Sequence, residues 1–342
     1  MRVPLSAVVL LAVCLWAIAG DGVPVDSVVA AVRTSIARKH KDADTAAAID
    51  KLKLAQHLED RVIEILESEG AGPQTLGALQ RLRDASRLLP APPDPPGGMK
   101  PPPPPSSGED QQVWQAAAGK ARDYTRSLPD FVCSETIYRW TDPTRSENWQ
   151  HSPTVVADLT FFDRKEHYQV KTVDGKPSDL PLPEVEGAIS AGEFGTMLAT
   201  IFEPASATDH RWDHWTILRT RPASVYFYRI ATSHHPHEVW YRIGPGKALK
   251  AVAGLHGYIY IDPQTGSVTR ISAAAEDIPA DFPVHESNTV LDYDFADVGG
   301  RLYLLPLRAE VRIDSRDMLS LNAVEFHGYR KFGADATVSY GK

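Results

Sequence analysis

The sequence predicts an α+β chain: a small N-terminal helical bundle, a proline-rich linker, and a large antiparallel β-sheet with a few packed helices. Three observations carry this. Apolar residues between Val25 and Leu89 recur at spacings of three and four, the helical period. Ten of the sixteen residues from Pro90 to Pro105 are proline, a composition that supports neither helix nor sheet. From Phe131 onward, short alternating segments follow one another through turn-forming residues without the βαβ alternation of a parallel sheet.

The chain begins with Met1-Arg2 and an apolar run from Leu5 to Ala19, broken only by Ser6 and ending Ala17-Ile18-Ala19-Gly20. A small-x-small ending after a short apolar run predicts a cleaved signal peptide over residues 1–19. The run is shorter than the roughly 20 apolar residues that a membrane span needs. No later stretch approaches that length, so the expected mature chain is soluble and periplasmic or secreted, without a transmembrane segment. With 36 basic against 44 acidic residues the net charge is −8, which excludes the basic footprint of a nucleic-acid binder. Of the two cysteines, Cys14 leaves with the signal. Cys133 remains unpaired, and its strand-like setting (Phe131-Val132-Cys133-Ser134-Glu135) predicts a small buried hydrophobe.

Residues 24–89 form the predicted helical bundle. Val25, Val28, Val29, Val32 and Ile36 share one helix face. A second helix is expected from Thr45 to Glu69, its stripe being Ile49, Leu52, Ala55, Leu58, Val62 and Ile65, with Asp42 and Asp44 as N-cap candidates and Gly70 as its stop. Pro73 opens a third, lined by Leu76, Leu79 and Leu82. Residues 90–108 are the linker, a reading that the composition favours over a PxxP ligand.

Residues 109–342 make the β-rich domain. It opens with a helix from Asp110 to Ser127, whose face is Val113, Trp114, Ala117, Ala121 and Tyr124. Pro129 ends that helix and a strand begins at Phe131. Further strands are expected at 155–162, 167–173, 224–232, 238–243, 258–261, 267–271, 291–298, 301–313, 324–332 and 336–340, with one helix at 192–202. Asp262-Pro263-Gln264-Thr265-Gly266 and Gly299-Gly300 are hairpin turns. Pro306 marks its strand as an edge or the carrier of a bulge.

The motifs of common chemistry are missing from the sequence. There is no Gly-x-Ser-x-Gly elbow, no phosphate loop and no dinucleotide fingerprint. His234-His235-Pro236-His237-Glu238 is the one cluster of metal-ligand types, expected at a hairpin tip where adjacent side chains diverge. His210 and His214 are four apart beside Asp213, Trp212 and Trp215, as in a helical pair or a loop. Asp213, His214, His237 and Glu238 are the polar residues that an enzymatic reading would use. No catalytic residue, metal site or cofactor is assigned. The strand aromatics Tyr226, Tyr228, Trp240, Tyr258 and Tyr260 suit either a core or the lining of an apolar groove.

Several segments look like an exported family found in acidobacteria that has no assigned activity: Leu58-Glu59-Asp60-Arg61-Val62, Gly72-Pro73-Gln74-Thr75-Leu76, the stretch from Tyr124 to Cys133, Gly192-Glu193-Phe194-Gly195, Tyr258-Ile259-Tyr260-Ile261-Asp262, and Phe326 to Phe332. More loosely, residues 110–342 are similar to the outer-membrane lipoprotein carrier superfamily. A helix running straight into a strand, an Asp-Pro-x-Thr-Gly hairpin and a final Tyr-Arg-x-Phe element carry that likeness. It implies a curved half-barrel with acyl chains held near its concave side, and hence a non-enzymatic envelope protein. The five aromatics would then line the ligand site, and the partner would be a hydrophobic small molecule. The rival expectation is a structural or protein-interaction module of the envelope with no small-molecule pocket.

Overall fold

In the computed structural model, the structure describes residues 22–92, 103–182, 195–243 and 247–333. The expected signal peptide, most of the proline run and the expected strand at 336–340 lie outside these residues. The chain divides into two compact units, residues 1–103 with 215–222 and residues 104–214 with 223–342.

The first unit holds helices α1 (Val25–Ala37), α2 (Asp42–Ile49), α3 (Asp60–Glu69) and α4 (Pro73–Ala85). Val28 and Val32 of α1, Ile49 of α2, Leu66 of α3 and Leu79 of α4 meet in one core. The single helix expected over 45–69 is in fact two. Leu54 makes a parallel bridge with Val23, in which Val23 N–H donates to Lys53 O at 2.8 Å and Ala55 N–H to Val23 O at 3.0 Å. Leu58 N–H donates to Ser86 Oγ at 3.1 Å. These tertiary bonds satisfy backbone groups that a helix would have paired locally, so propensity is overridden between residues 50 and 59. The buried face of α3 is accordingly Ile63 and Leu66, with Val62 only packed against its margin. Gly70 stops α3 in the left-handed region at φ 111°.

Asp42 caps a helix other than its own. It sits in the first turn of α2, and its carboxylate accepts from Gln74 N–H at 2.7 Å and Thr75 N–H at 3.0 Å, closing the amino end of α4. Gly72, the residue before Pro73, leaves room for it. A Cβ at Gly72 would stand 2.4 Å from Asp42 Cγ.

The second unit opens with α5 (Ser107–Ser127), started by a capping box in which Ser106 and Glu109 satisfy each other's backbone N–H. A sheet of twelve strands follows, broken by α6 (Thr196–Phe202): β1 (Phe131–Asp142), β2 (Gln150–Phe162), β3 (Lys165–Val173), β4 (Lys176–Pro177), β5 (Asp209–Leu218), β6 (Arg221–Ile230), β7 (His237–Ile243), β8 (Lys247–Ile261), β9 (Val268–Glu276), β10 (Val284–Asp297), β11 (Leu302–Ser315) and β12 (Leu319–Lys331). Their order is β4-β3-β2-β1-β12-β11-β10-β9-β8-β6-β5, with β7 also paired to β8, and every pairing described is antiparallel. The sheet is curved and does not close.

Register places one apolar residue of each strand on the helix-covered face. Tyr226, Ile259, Ile271, Leu291, Ala309, Val324, Ile137 and Val155 stand side by side across eight strands, all in one core with Ala117, Ala121 and Tyr124 of α5 and Leu198 and Ile201 of α6. One step along, on the other face, Arg270, Asp292 and Arg308 are likewise opposite one another. Asp292 is 1% exposed and accepts two bonds from Arg270, at 2.8 and 2.9 Å, and one from Arg308 Nε at 2.8 Å. Pro306 lies in an interior strand, where the register shifts between Asp292 and Tyr293. The bulge, not the edge, accommodates it.

Two outcomes follow from these contacts. Asp42→Ala should cost the first unit about 0.5–2 kcal/mol, the usual worth of a cap. Gly72→Ala should destabilise the wild type but act much less in the Asp42→Ala background, because both changes remove the same bond. A double-mutant cycle by urea unfolding reads this, and simple additivity would refute the shared mechanism. In the sheet, Asp292→Asn should cost about 3–5 kcal/mol by stranding a buried arginine, more than Arg308→Met, whose partner is already neutralised by Arg270. Equal losses by the same measurement would contradict that ranking.

Candidate functional site

The five strand aromatics do not share a surface. Tyr226 and Tyr228 face the helices and are fully buried. The Tyr228 ring reaches across β8 at Gly257, where its hydroxyl donates to Ser272 O at 3.0 Å. A Cβ at Gly257 would stand 2.0 Å from that same oxygen. Burial pushes both phenols up, holding them protonated. Tyr258 and Tyr260 alternate with these onto the opposite face. Tyr260 is buried with the Arg270 guanidinium 5.7 Å from its ring, and Tyr258 is partly exposed against Phe227 at 5.7 Å. Trp240 is 55% exposed on β7, with the Lys250 ammonium 5.3 Å from its ring.

The histidines are dispersed as well. Residues 231–236 interrupt what is otherwise one line of pairing along β8, since β6 and β7 both pair with it; the expected hairpin tip is a bulge-out loop. His237 begins β7, and burial lowers its basicity, with His235 nearby adding to the effect. His210 and His214 lie on strand β5, where a four-residue separation spans about 13 Å, not on one helix turn. His214 Nδ1 contacts Asp213 Oδ2 at 2.7 Å, while the His210 ring stacks on Trp114 at 3.7 Å. Among the described residues no three His, Cys, Asp or Glu side chains are grouped to hold a metal ion. Cys133 is buried, and desolvation first, then Glu135, pushes its thiol up to about 12.

One concavity of the second unit brings polar and apolar groups together. It is a partly open cleft of about 540 Å³ between α5, α6, the β8–β9 turn and the β10–β11 hairpin. From α5 its wall takes the small residues Ala116, Ala117, Gly119 and Ala121 together with Lys120, Asp123, Tyr124 and Ser127. The opposing wall is apolar, made by Val268, Phe295, Leu302, Tyr303 and Leu304, with Leu198 of α6 contributing. Leu302 stands 69% exposed at this wall. Two cleft residues carry charge, Lys120 and Asp123. Lys120 Nζ donates to Ser267 Oγ at 3.2 Å, and Asp123 is 3.8 Å from Arg126. Tyr124 is also of the lining, while its hydroxyl is buried and has no hydrogen-bond partner among the described residues.

The Asp-Pro-x-Thr-Gly turn builds one side of this cleft. Asp262 Oδ1 accepts from Gln264 N–H at 2.8 Å and Thr265 N–H at 3.1 Å, and Gly266 N–H donates to Asp262 O at 2.8 Å. Gly266 takes φ 68°, and a Cβ there would come 3.0 Å from Ala116 Cβ. The turn is thus drawn tight against α5, setting Ser267 and Val268 in the lining. The sequence holds a signal for this wall in the small-residue run Ala116-Ala117-Ala118-Gly119, and Ala117, Ala121 and Tyr124 of the lining belong to the helix face expected to be buried. Gly266→Val should strain the turn and lever it from α5, lowering stability by about 1–3 kcal/mol and raising amide exchange in 262–268. Unchanged exchange there would show that the contact with Ala116 does not position the turn.

No family model matches this chain, and no curated protein matches it. Among solved structures it is similar to a DUF1329 family protein from Desulfovibrio piger, with 10% identity and a TM-score of 0.35 over 68% of this chain and 95% of that one. It is also similar to the LolA superfamily protein NE2245 from Nitrosomonas europaea, with 8% identity and a TM-score of 0.28 over 66% of this chain and 94% of that one. A third is MucB in complex with MucA, from Pseudomonas aeruginosa, with 11% identity and a TM-score of 0.19 over 66% and 100%. No helix of the described residues is long and apolar enough to cross a membrane.

Proposed function

We propose that the chain is exported and acts as a non-enzymatic envelope protein whose sheet unit binds or carries a hydrophobic ligand, a lipid or acyl chain, in the cleft beside α5. The observation that carries this reading is the cleft's make-up: apolar side chains of the β8–β9 turn and the β10–β11 hairpin face the small residues of α5, with Lys120, Asp123 and Ser127 as its few polar groups from that helix. Apolar pockets of this size with a few polar groups are the usual form of small-molecule sites. The exposed Leu302 gives an apolar ligand a first contact at the lining.

A second reading draws on the other face. Trp240, Val252 and Tyr258 are exposed large hydrophobics of the β7–β8 ribbon and, by strand alternation, share a side. That patch suits a partner protein. Of the five aromatics, Trp240 and Tyr258 would serve it.

Gly119 gives the test. A Cβ there meets nothing within 4 Å, so Gly119→Leu should fill the cleft without a clash. It should also stabilise α5 by about 0.5–1 kcal/mol, since glycine is a poor helix former. Titration of a fluorescent naphthylamine probe should show binding to the mature wild type and a loss of about tenfold or more in Gly119→Leu, alongside a higher Tm. A variant that is more stable and binds equally well would remove the cleft from the reading and leave the outer patch.

A further inference from the structure

We propose that one end of the sheet unit docks on an anionic lipid surface, with Phe162 and Leu302 entering the headgroup layer and the cations around them holding the phosphates. The docking stands on observations of its own. That it brings the cleft to a source of lipid rests on the function proposed above.

Register gathers the residues. Phe131 of β1 lies opposite Phe161 of β2 and Lys331 of β12, Phe162 lies opposite Lys165, and Asp297 lies opposite Leu302. The β2–β3 turn, the end of β12 and the β10–β11 hairpin therefore reach the same end of the sheet. They also adjoin there: the Phe162 and Phe332 rings are 5.3 Å apart, and a Cβ at Gly299 would stand 3.4 Å from Lys331 Cδ.

This end exposes large apolar side chains at its tips. Leu302 is 69% exposed, the most of any large hydrophobic among the described residues of this unit, and Phe162 is 47% exposed. Its charge also runs against that of the chain. Residues 128–130, 162–165, 297–302 and 330–333 carry five cations, Arg164, Lys165, Arg301, Arg330 and Lys331, against three acids, Asp130, Asp163 and Asp297, while the whole chain carries −8. All five cations are exposed, and none has an ion pair among the described residues. Two of the acids are engaged in turns: Asp297 Oδ1 accepts from Gly300 N–H at 3.1 Å and Asp130 Oδ1 from Asp163 N–H at 3.3 Å. Nearby on α5, Asp123 and Arg126 are 3.8 Å apart and offset each other.

Apolar tips set among surplus cations complement a negatively charged bilayer. The phosphates attract the cations within about a Debye length, and the tips leave water for the acyl boundary. An acidic protein would satisfy the charges but would have to offer a separate pocket to each projecting tip. Leu302 belongs to the cleft lining as well, so docking at this end sets the lining against the lipid.

Co-sedimentation of the mature protein with vesicles tests this, comparing pure phosphatidylcholine with phosphatidylcholine holding about one-third phosphatidylglycerol. The wild type should bind the mixed vesicles about tenfold more strongly or better, and added salt should shrink that gain. Arg164→Gln with Lys165→Gln should weaken binding by on the order of tenfold or more, at about fivefold per cation. Phe162→Ser should weaken it severalfold. These positions are exposed, so circular dichroism should stay unchanged. Equal binding to both vesicles, or binding that neither variant weakens, would overturn the docking surface. Absence of binding to either vesicle would overturn it too, and leave this end to an acidic protein. The naphthylamine titration keeps the two claims apart. Normal probe binding by the Arg164→Gln, Lys165→Gln variant, with vesicle binding reduced, supports a docking surface separate from the cleft. Vesicle binding by a chain whose cleft takes no probe would overturn the ligand reading and leave the docking surface standing.

Discussion

The sheet's order hangs on a carboxylate with no access to water. Asp292 lies between Arg270 and Arg308, directly opposite both across neighbouring strands. Burying an ion is expensive, and such a cluster is tolerated only in good geometry. Its value is in register. A slip of β10 by one residue would carry Asp292 to the helix-covered face and bring Leu291 out, and three charged groups would lose their partners together. Three central strands are thereby locked, and the apolar row from Tyr226 to Val155 falls into line behind them.

That row in turn demands a cover. Strands of an antiparallel sheet can leave one face to water, but not a face carrying an isoleucine or leucine in nearly every strand. Helix α5 supplies the cover with Ala117, Ala121 and Tyr124, and α6 completes it with Leu198 and Ile201. The small residues let α5 come close, and Gly266 lets the β8–β9 turn close on Ala116. The geometry of the cleft is a by-product of this packing: the helix is near enough to be a wall and too slender on its other side to fill the gap.

Much of this was legible in the sequence because it is local. The stop at Gly70, Pro73 at the start of α4 and the Asp262 turn are settled by neighbours a few residues apart. What escaped was decided at long range. Residues 50–59 have a helical stripe, yet Val23 and Ser86 hold their backbone extended. Strand β5 carries His210, Trp212 and His214, which show no apolar alternation of the usual kind, because Trp212 and His210 enter the interior through ring packing. The five aromatics could be assigned to strands but not to faces, since face depends on register and register on the pairing of β6, β8 and β9. The cleft escaped for a related reason: the small residues of α5 mark a concavity only once the β10–β11 hairpin stands opposite them.

The cleft is also where the fold forgoes stability that lay within reach. Gly119 sits in the middle of a helix, where almost any other residue would be better by about 0.5–1 kcal/mol, and the space beyond its Cα is open. A larger side chain at Gly119 has room to take exposed apolar surface of the lining out of water. Burial of the Tyr124 hydroxyl with no hydrogen-bond partner among the described residues works in the same direction. Each is a departure from the consistency found elsewhere in the unit, where capping box, turn and register all agree. These departures gather around one concavity, which is what the proposed ligand site would require.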